Sequence, residues 1–315
     1  MTSTRNQPYD PVMTSHVVDQ PGPTLVIHGG AGNVPSRTGE EAEKFRRSLR
    51  QAFAAGQRAL DVSACDAVIA AVTAMEDDPL FNAGRGGVLT ANGTVETDAA
   101  VMTGDGHAGA VCCSRHARNP IQLAHKALRI HPMCCCVTRP NGSVKTGVLR
   151  SRRRSTSSPK RAASSEQVLA RRQHAPKHGT VGAVARDRYG HLAAATSTGG
   201  IVASSQGRIG DSPVIGAGTF ARDGVVAVSC TGDGEAFLQG VVAHEVDAQM
   251  RLAGQPVDRA ALGALTDEVS SRLTGHAPAT DGLIAVDSCE QLVICHMSAS
   301  MLAAWPDHGE VLTSV

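Results

Sequence analysis

The chain has 315 residues, 42% of them hydrophobic, and a net charge of +1, which fits a globular protein able to bury one large core or two ordinary ones. Five Phe, two Tyr and one Trp are its only aromatics against 33 glycines, so small side chains must pack closely. No apolar run approaches the ~20 residues of a membrane span, and nine cysteines without a single C-x-x-C pair argue against a zinc site or a disulfide framework.

The opening stretch MTSTRNQPYDPVMTSH is polar, with two prolines, and lacks the pattern of an export signal; a cytoplasmic protein with reduced thiols is expected. Thr24-Leu25-Val26-Ile27-His28 reads as a buried strand stopping at the tight turn Gly29-Gly30-Ala31-Gly32. The spacing predicts helices over 40–60 and 64–76, the second with Ser63 as N-cap and Ala64, Ala67, Val68, Ala71, Val72 and Met75 on one face. Residues 82–102 read as a glycine loop and a two-stranded hairpin turning at Ala91-Asn92-Gly93.

Residues 137–177 hold 11 Lys and Arg and one acid, Glu166, leaving 30 − 11 = 19 basic and 29 − 1 = 28 acidic residues elsewhere, a net of −9. With no aromatics to stack on bases, and rich in Ser and Pro, this segment reads as a flexible basic linker rather than a nucleic-acid site. Its end abuts Gly179-Thr180, and exposed linkers are where chain cleavage is tolerated.

Beyond it, residues 180–198 read as a hairpin with strands at 180–185 and 191–198, and 224–230 as a strand ending in Thr231-Gly232-Asp233-Gly234. Helices follow at 235–252 and 257–274, then strands at 282–287 and 291–298. Hairpins on both sides of the linker, flanked by helices, point to an α+β domain of four layers, two mainly antiparallel sheets inside and helices outside.

Thr180 begins one strand, Thr198 ends its partner and Thr231 ends a third, so the first two can meet at one sheet end. A threonine hydroxyl needs an activating base. If the Gly179–Thr180 bond is cut, the new α-amine, with a pKa near ~7.7–8.0, can accept the hydroxyl proton. His28 reads as a satisfied structural histidine.

HGGAG at 28–32, FNAGRGGVLT at 81–90, ETDAAVM at 96–102, HGTVGAVA at 178–185, AAATSTGG at 193–200, GRIGDSPVIGAG at 207–218 and SCTGDGE at 229–235 together resemble the plant-type L-asparaginase and isoaspartyl aminopeptidase family of N-terminal-nucleophile (Ntn) hydrolases. The resemblance covers roughly 24–132 and 177–290 and implies the αββα sandwich of the Ntn fold. It implies self-cleavage at Gly179–Thr180 into an α subunit (1–179) and a β subunit (180–315) led by the nucleophile Thr180. It assigns Thr198 a tuning role, Thr231 and Gly232 the oxyanion hole, and Asn82 support from the α side. Substrate binding falls to Arg208, Ile209, Gly210, Asp211, Thr231, Gly232, Asp233 and Gly234, with Arg208 holding an α-carboxylate bidentately and Asp211 an α-ammonium. A sodium ion on the main-chain carbonyls of Met75, Glu76, Asp78, Phe81, Ala83 and Arg85 is implied, with no cofactor needed for the chemistry. So are a small-molecule or dipeptide substrate, a homodimer of αβ units, and neither nucleic-acid nor membrane partners. The expected activity is hydrolysis of the side-chain amide of L-asparagine or of β-aspartyl dipeptides; the alternatives are a glycosylasparaginase-like amidase and an uncleaved binding scaffold. The sequence departs from the family at 134–176, at IVASSQ (201–206), at ICHMSASM (294–301), and at Asp281, where a second glycine is usual before GLIAVD.

Overall fold

The computed structural model describes residues 13–32, 37–130, 133–137, 179–270 and 281–315; apart from Val137, the expected linker lies outside them. In chain order the elements are β1 (Thr14–Asp19), β2 (Thr24–Gly32), α1 (Gly39–Leu60), α2 (Ala64–Asp77), β3 (Thr97–Thr103), β4 (Ala108–Ser114), α3 (Pro120–Ile130) and β5 (Met133–Val137). Then come β6 (Val181–Arg186), β7 (Leu192–Thr198), β8 (Thr219–Arg222), β9 (Val226–Thr231), α4 (Gly234–Gly240), α5 (Val242–Ala253) and α6 (Val257–Gly263). The last strands are β10 (Gly282–Asp287), β11 (Gln291–His296), β12 (Ser300–Asp307) and β13 (Glu310–Ser314).

The strands form two sheets, a five-stranded one in the order β1-β11-β10-β9-β8 and an eight-stranded one in the order β13-β12-β2-β6-β7-β3-β4-β5. Pairing is antiparallel except between β4 and β5. α1, α2 and α3 pack on the eight-stranded sheet and α5 and α6 on the five-stranded one, while β6 and β7 face β9 across the interior. This is the αββα sandwich expected.

Alternation decides which side chains enter which layer. Val181, Ala183, Ala185, Ala193 and Ala195 pack with the helices α1 and α2, while Val184, Leu192 and Ala194 pack into the core that includes the other sheet. The even-numbered positions of β6 and β7 therefore turn towards the five-stranded sheet, and Thr180, Thr196 and Thr198 share that face.

Several elements differ from expectation. The hairpin expected over 82–102 shrinks to one bridge, Leu89 to Val95. Its flanks bond to the 203–204 loop instead, Ala203 N–H to Leu89 O at 2.8 Å and Ala91 N–H to Ser204 O at 2.9 Å, and the true strand β3 pairs with β4 and β7. The helix expected over 235–252 breaks at Val241, which is left-handed at φ 50°. There the amides of Ala243 and His244 find the carbonyls of Ala217 and Gly216, so a tertiary contact satisfies groups that a continuous helix would bond internally. The helix expected over 257–274 is α6 followed by a π-helical turn, Ala264–Ser270, with 271–274 outside the described residues. β1, β4, α3, β5, β8, β12 and β13 had no counterpart in the sequence reading.

α2 starts at the predicted cap: Ser63 Oγ accepts the Asp66 N–H at 3.0 Å. Its last turn holds Glu76, fully buried, whose Oε1 accepts Ser197 Oγ–H at 2.6 Å and Ile121 N–H at 2.9 Å. One carboxyl thus ties α2 to β7, one residue before Thr198, and to the first turn of α3. Burial pushes its pKa up to about 8, against the pull of those hydrogen bonds. A raised carboxyl pKa means the folded protein binds the proton more tightly than the unfolded chain, so this stabilisation is complete below the unfolded value and is lost as pH rises through the folded one. Glu76→Gln, which mimics the protonated acid, is therefore expected to flatten the fall of melting temperature between about pH 5 and pH 8, where the wild type loses up to about 1.4 kcal/mol per pH unit from this group. An unchanged pH dependence in thermal melts would contradict that assignment.

Candidate active site

β6 and β7 pair in a register that sets Val181 opposite Ser197, so one step further Thr180 lies opposite Thr198, both of them buried. On the facing sheet Ser229 Oγ touches Thr196 Oγ1 at 2.8 Å, which turns the odd positions of β9 inward and brings Thr231 to the same end of the interior. The three threonines singled out by sequence thus lie on facing surfaces.

Residues 29–32, expected to be a tight turn, instead continue β2 as strand against β12, with a bulge between Leu302 and Ala303, because the glycines leave room for the neighbouring chains; this glycine-rich end of β2 closes the interior here. Gly30 adopts φ +112°, and a Cβ there would lie 2.5 Å from the Gly179 Cα, so two main chains cross at a point where only glycines fit. A Cβ on Gly179 would come 2.7 Å from the Ala31 nitrogen, and the Ala31 N–H donates to Thr231 Oγ1 at 3.3 Å. The HGGAG end of β2 therefore holds the peptide before Thr180 on one side and the Thr231 hydroxyl on the other. A cavity beside Gly179, lined by Gly30, Gly32, Arg37, Asn82 and Ser300 among others, adjoins this crossing.

Asn82 is buried and holds the loop after Thr198: its Nδ2 donates to Gly200 O at 2.8 Å, its Oδ1 accepts Val88 N–H at 3.1 Å, and its carbonyl accepts Gly199 N–H at 2.9 Å. Gly200 N–H donates to Thr198 Oγ1 at 3.1 Å. Asn82 thus reaches Thr198 through one loop.

Asp211 is buried, its Oδ2 has no hydrogen-bond partner, and burial raises its pKa to about 7. A buried carboxylate oxygen without a donor is costly in isolation and suits an ammonium. Arg208 is not the open fork expected. Its Nε and Nη2 donate to the two oxygens of Glu235 at 2.8 and 2.7 Å, and this contact holds Glu235 below the usual carboxylate range. A ligand carboxylate must meet the remaining Nη1 edge. Ile209 is exposed and Gly210 buried between the two clamp residues. Gly234 packs against both, since a Cβ there would come 2.8 Å from Asp211 Oδ1 and 3.2 Å from Arg208 Nη2.

Sequence reasoning missed four supporting acids. Glu235 ends a motif it quoted without assigning a role. Asp98, which pairs with Thr198 across β3 and β7, accepts the Cys113 N–H at 2.6 Å and is raised by burial to about 6, with Arg208 pulling it down. Glu96 accepts the Gly207 N–H at 2.8 Å beside Arg208 and Arg115 Nε at 2.8 Å. Asp281, directly across from Gly232 in the β9–β10 register, accepts the Asp233 N–H at 2.6 Å. No spacing rule links these partners, all more than twenty residues from the groups they serve except Glu96 with Arg115 and Asp98 with Cys113.

The expected sodium loop curls through the short 3-10 turn Gly84–Gly86. The carbonyls of Met75, Asp78, Phe81 and Ala83 each accept one main-chain N–H there, leaving a second lone pair on each. Those neutral oxygens fit a hard monovalent cation. The Glu76 carboxyl meets Ser197 and Ile121 through Oε1 alone, its Oε2 being buried without a hydrogen-bond partner, and Arg85 lies within the turn. Among the described residues no group of three or more His, Cys, Asp or Glu could hold a metal ion, and no helix is long and apolar enough to cross a membrane.

A family model described as Asparaginase matches residues 21–139 and 143–314. Isoaspartyl peptidase from Salmonella typhimurium is 37% identical over 311 residues, covering 92% of this chain and 97% of the relative. Isoaspartyl peptidase/L-asparaginase from Mus musculus is 39% identical over 304 residues, 92% of this chain and 90% of the relative. Plant-type L-asparaginase from Pyrobaculum calidifontis is 35% identical over 300 residues, 91% of this chain and 98% of the relative.

If Asp211 takes an ammonium, binding of L-aspartate measured by titration calorimetry should weaken as pH falls through about 7, by up to about tenfold per unit. Asp211→Asn should weaken it above about pH 7 and remove that slope; an unaltered slope would place the titrating group elsewhere.

Proposed function

The chain belongs to the asparaginase family, and from that premise we propose how its residues carry out the reaction. The protein is a hydrolase of the side-chain amide of L-asparagine and of isoaspartyl peptides, releasing L-aspartate. One observation supports the reading above the rest: Thr180, Thr198 and Thr231 lie at one end of the two sheets, with glycines bringing the HGGAG end of β2 against Gly179.

Maturation begins when Thr180 Oγ attacks the Gly179 carbonyl. The peptide C–N bond breaks, the acyl group passes to oxygen, and water hydrolyses the ester to a Gly179 carboxylate and a free Thr180 amine. Cutting divides the chain into α (1–179) and β (180–315) subunits. The freed amine, with a pKa near ~7.7–8.0, serves as base for its own hydroxyl.

In turnover Asp211 receives the substrate ammonium and the Nη1 edge of Arg208 the α-carboxylate. Thr180 Oγ then attacks the side-chain carbonyl, the amine passes the proton to the departing ammonia or amine, and the Thr231 hydroxyl with the Gly232 N–H steadies the oxyanion. Water releases aspartate from the acyl-enzyme. Thr198, opposite the nucleophile, orients its hydroxyl and amine, and Asn82 keeps Thr198 in place. We include in the proposal a sodium ion on the Met75–Arg85 carbonyls, an assembly of two αβ units and a cytoplasmic location.

Ammonia release from L-asparagine and amino-acid release from β-aspartyl-leucine test the chemistry. Thr180→Ala should lower both by at least about 10³-fold. Arg208→Lys, which loses the fork on Glu235, should raise KM at least about tenfold with a smaller effect on kcat. Wild-type rates in Thr180→Ala would refute the assignment of the nucleophile.

A further inference from the structure

Arg37 stands two residues before α1 and lines the cavity beside Gly179, together with Gly30, Gly32, Phe45 and Leu80. Its guanidinium lies 4.2 Å over the Phe45 ring, and its side chain is only 11% exposed. Nε is shut away from solvent and has no hydrogen bond. Its ion pair among the described residues is with Glu41, whose Oε1 lies 3.8 Å from Nε, beyond hydrogen-bond reach, on a side chain 71% exposed. A pair so open to water counts for little. Burial lowers the Arg37 pKa against the pull of Glu41, yet a guanidinium keeps its charge throughout the working range. A nearly enclosed cation with a spare donor thus borders the same cavity as the residue at the cut.

Stacking on Phe45 offsets only part of the cost of enclosing an unpaired ion, and an apolar side chain would cover that ring at no such cost. In the uncut chain Gly179 presents the cation with a neutral peptide. The cut changes that, because hydrolysis of the ester leaves a carboxylate on Gly179 and, below the amine pKa near ~7.7–8.0, an ammonium on Thr180. Gly179 and Gly30 are in main-chain contact, a Cβ on either coming 2.4 or 2.5 Å from the Cα of the other, so the carboxylate forms beside the cavity. Left to itself it would pair with the ammonium and hold that group protonated. A second cation at the cavity competes for it.

We propose that Arg37 and its cavity form a carboxylate-binding site whose ligand is the chain end created at Gly179: the guanidinium takes the terminal carboxylate and leaves the Thr180 amine free to act as a base. A planar guanidinium suits a carboxylate better than an ammonium does, and chain ends fray unless tied down. The site is built before its ligand exists and is filled by the cut. This inference rests on the functional reading above.

Thermal melts of Arg37→Met, made in wild type and in Thr180→Ala, isolate the contact, since the carboxylate exists only after cleavage. The substitution should lower the melting temperature of the cut enzyme by about 2 °C or more and leave that of Thr180→Ala unchanged or higher. Equal losses in both would make Arg37 a structural residue and overturn the proposal. Digestion with a carboxypeptidase reads the same contact locally, with Val315 of the β subunit as reference. Arg37→Met should release Gly179 at least about tenfold faster than wild type, and Arg37→Lys within about threefold of it. A raised KM for β-aspartyl-leucine in Arg37→Met, with KM for L-asparagine and Gly179 release unchanged, would give the cation to the leaving amino acid and also overturn the proposal. A wild-type chain that never splits would refute the functional reading and this site with it, whereas a split chain with unaltered Gly179 release would refute this site alone.

Discussion

Two main chains cross at Gly30 and Gly179 so closely that neither position admits a methyl group, and the rest of the site is arranged around that crossing. It fixes the peptide preceding Thr180, and the next amide along, Ala31 N–H, reaches the Thr231 hydroxyl. One short stretch of β2 therefore sets the relative position of the bond to be cut and of a group from the other sheet. Side chains would hold these parts apart by several ångströms; glycine backbones do not.

The interior beyond the crossing is polar for a protein core. His28, Thr196, Thr219 and Ser229 are all buried between the sheets, where an unpaired hydroxyl would cost about 1–3 kcal/mol. Each is paired with another, across the sheets in the case of His28 and Thr196 with Ser229. Such pairing specifies the lateral offset of one sheet against the other far more sharply than apolar packing of alanines could. That offset is what places Thr180 and Thr198 of one sheet against Thr231 of the other. The same logic governs the clamp, where Glu235 spends its charge on fixing the Arg208 plane and Asp211 is left with an oxygen to offer a ligand.

The hairpin from 181 to 198 was legible because its alternation and its turn are local, and the three threonines followed from it and from the end of β9. The family motifs supplied Asn82, Arg208 and Asp211, which no local pattern distinguishes. What escaped was long-range: Glu235 closing the Arg208 fork, Asp98 facing Thr198, Asp281 bonding the amide after Gly232. Val241 could not be read as a break, because the carbonyls that take over from the helix belong to residues 216 and 217. His28 was read as a satisfied core histidine, which holds for Nε2 and not for Nδ1. The departures at Asp281 and in 201–206 leave the three threonines and the glycine crossing in place.

The account stands on one residue becoming both nucleophile and base, and the mass of the working enzyme tests that most directly. Intact-mass spectrometry on a preparation at full specific activity should find a chain that begins at Thr180 with an unblocked amine, together with the complementary fragment ending at Gly179. Full activity in a preparation whose Gly179–Thr180 bond is unbroken would contradict it.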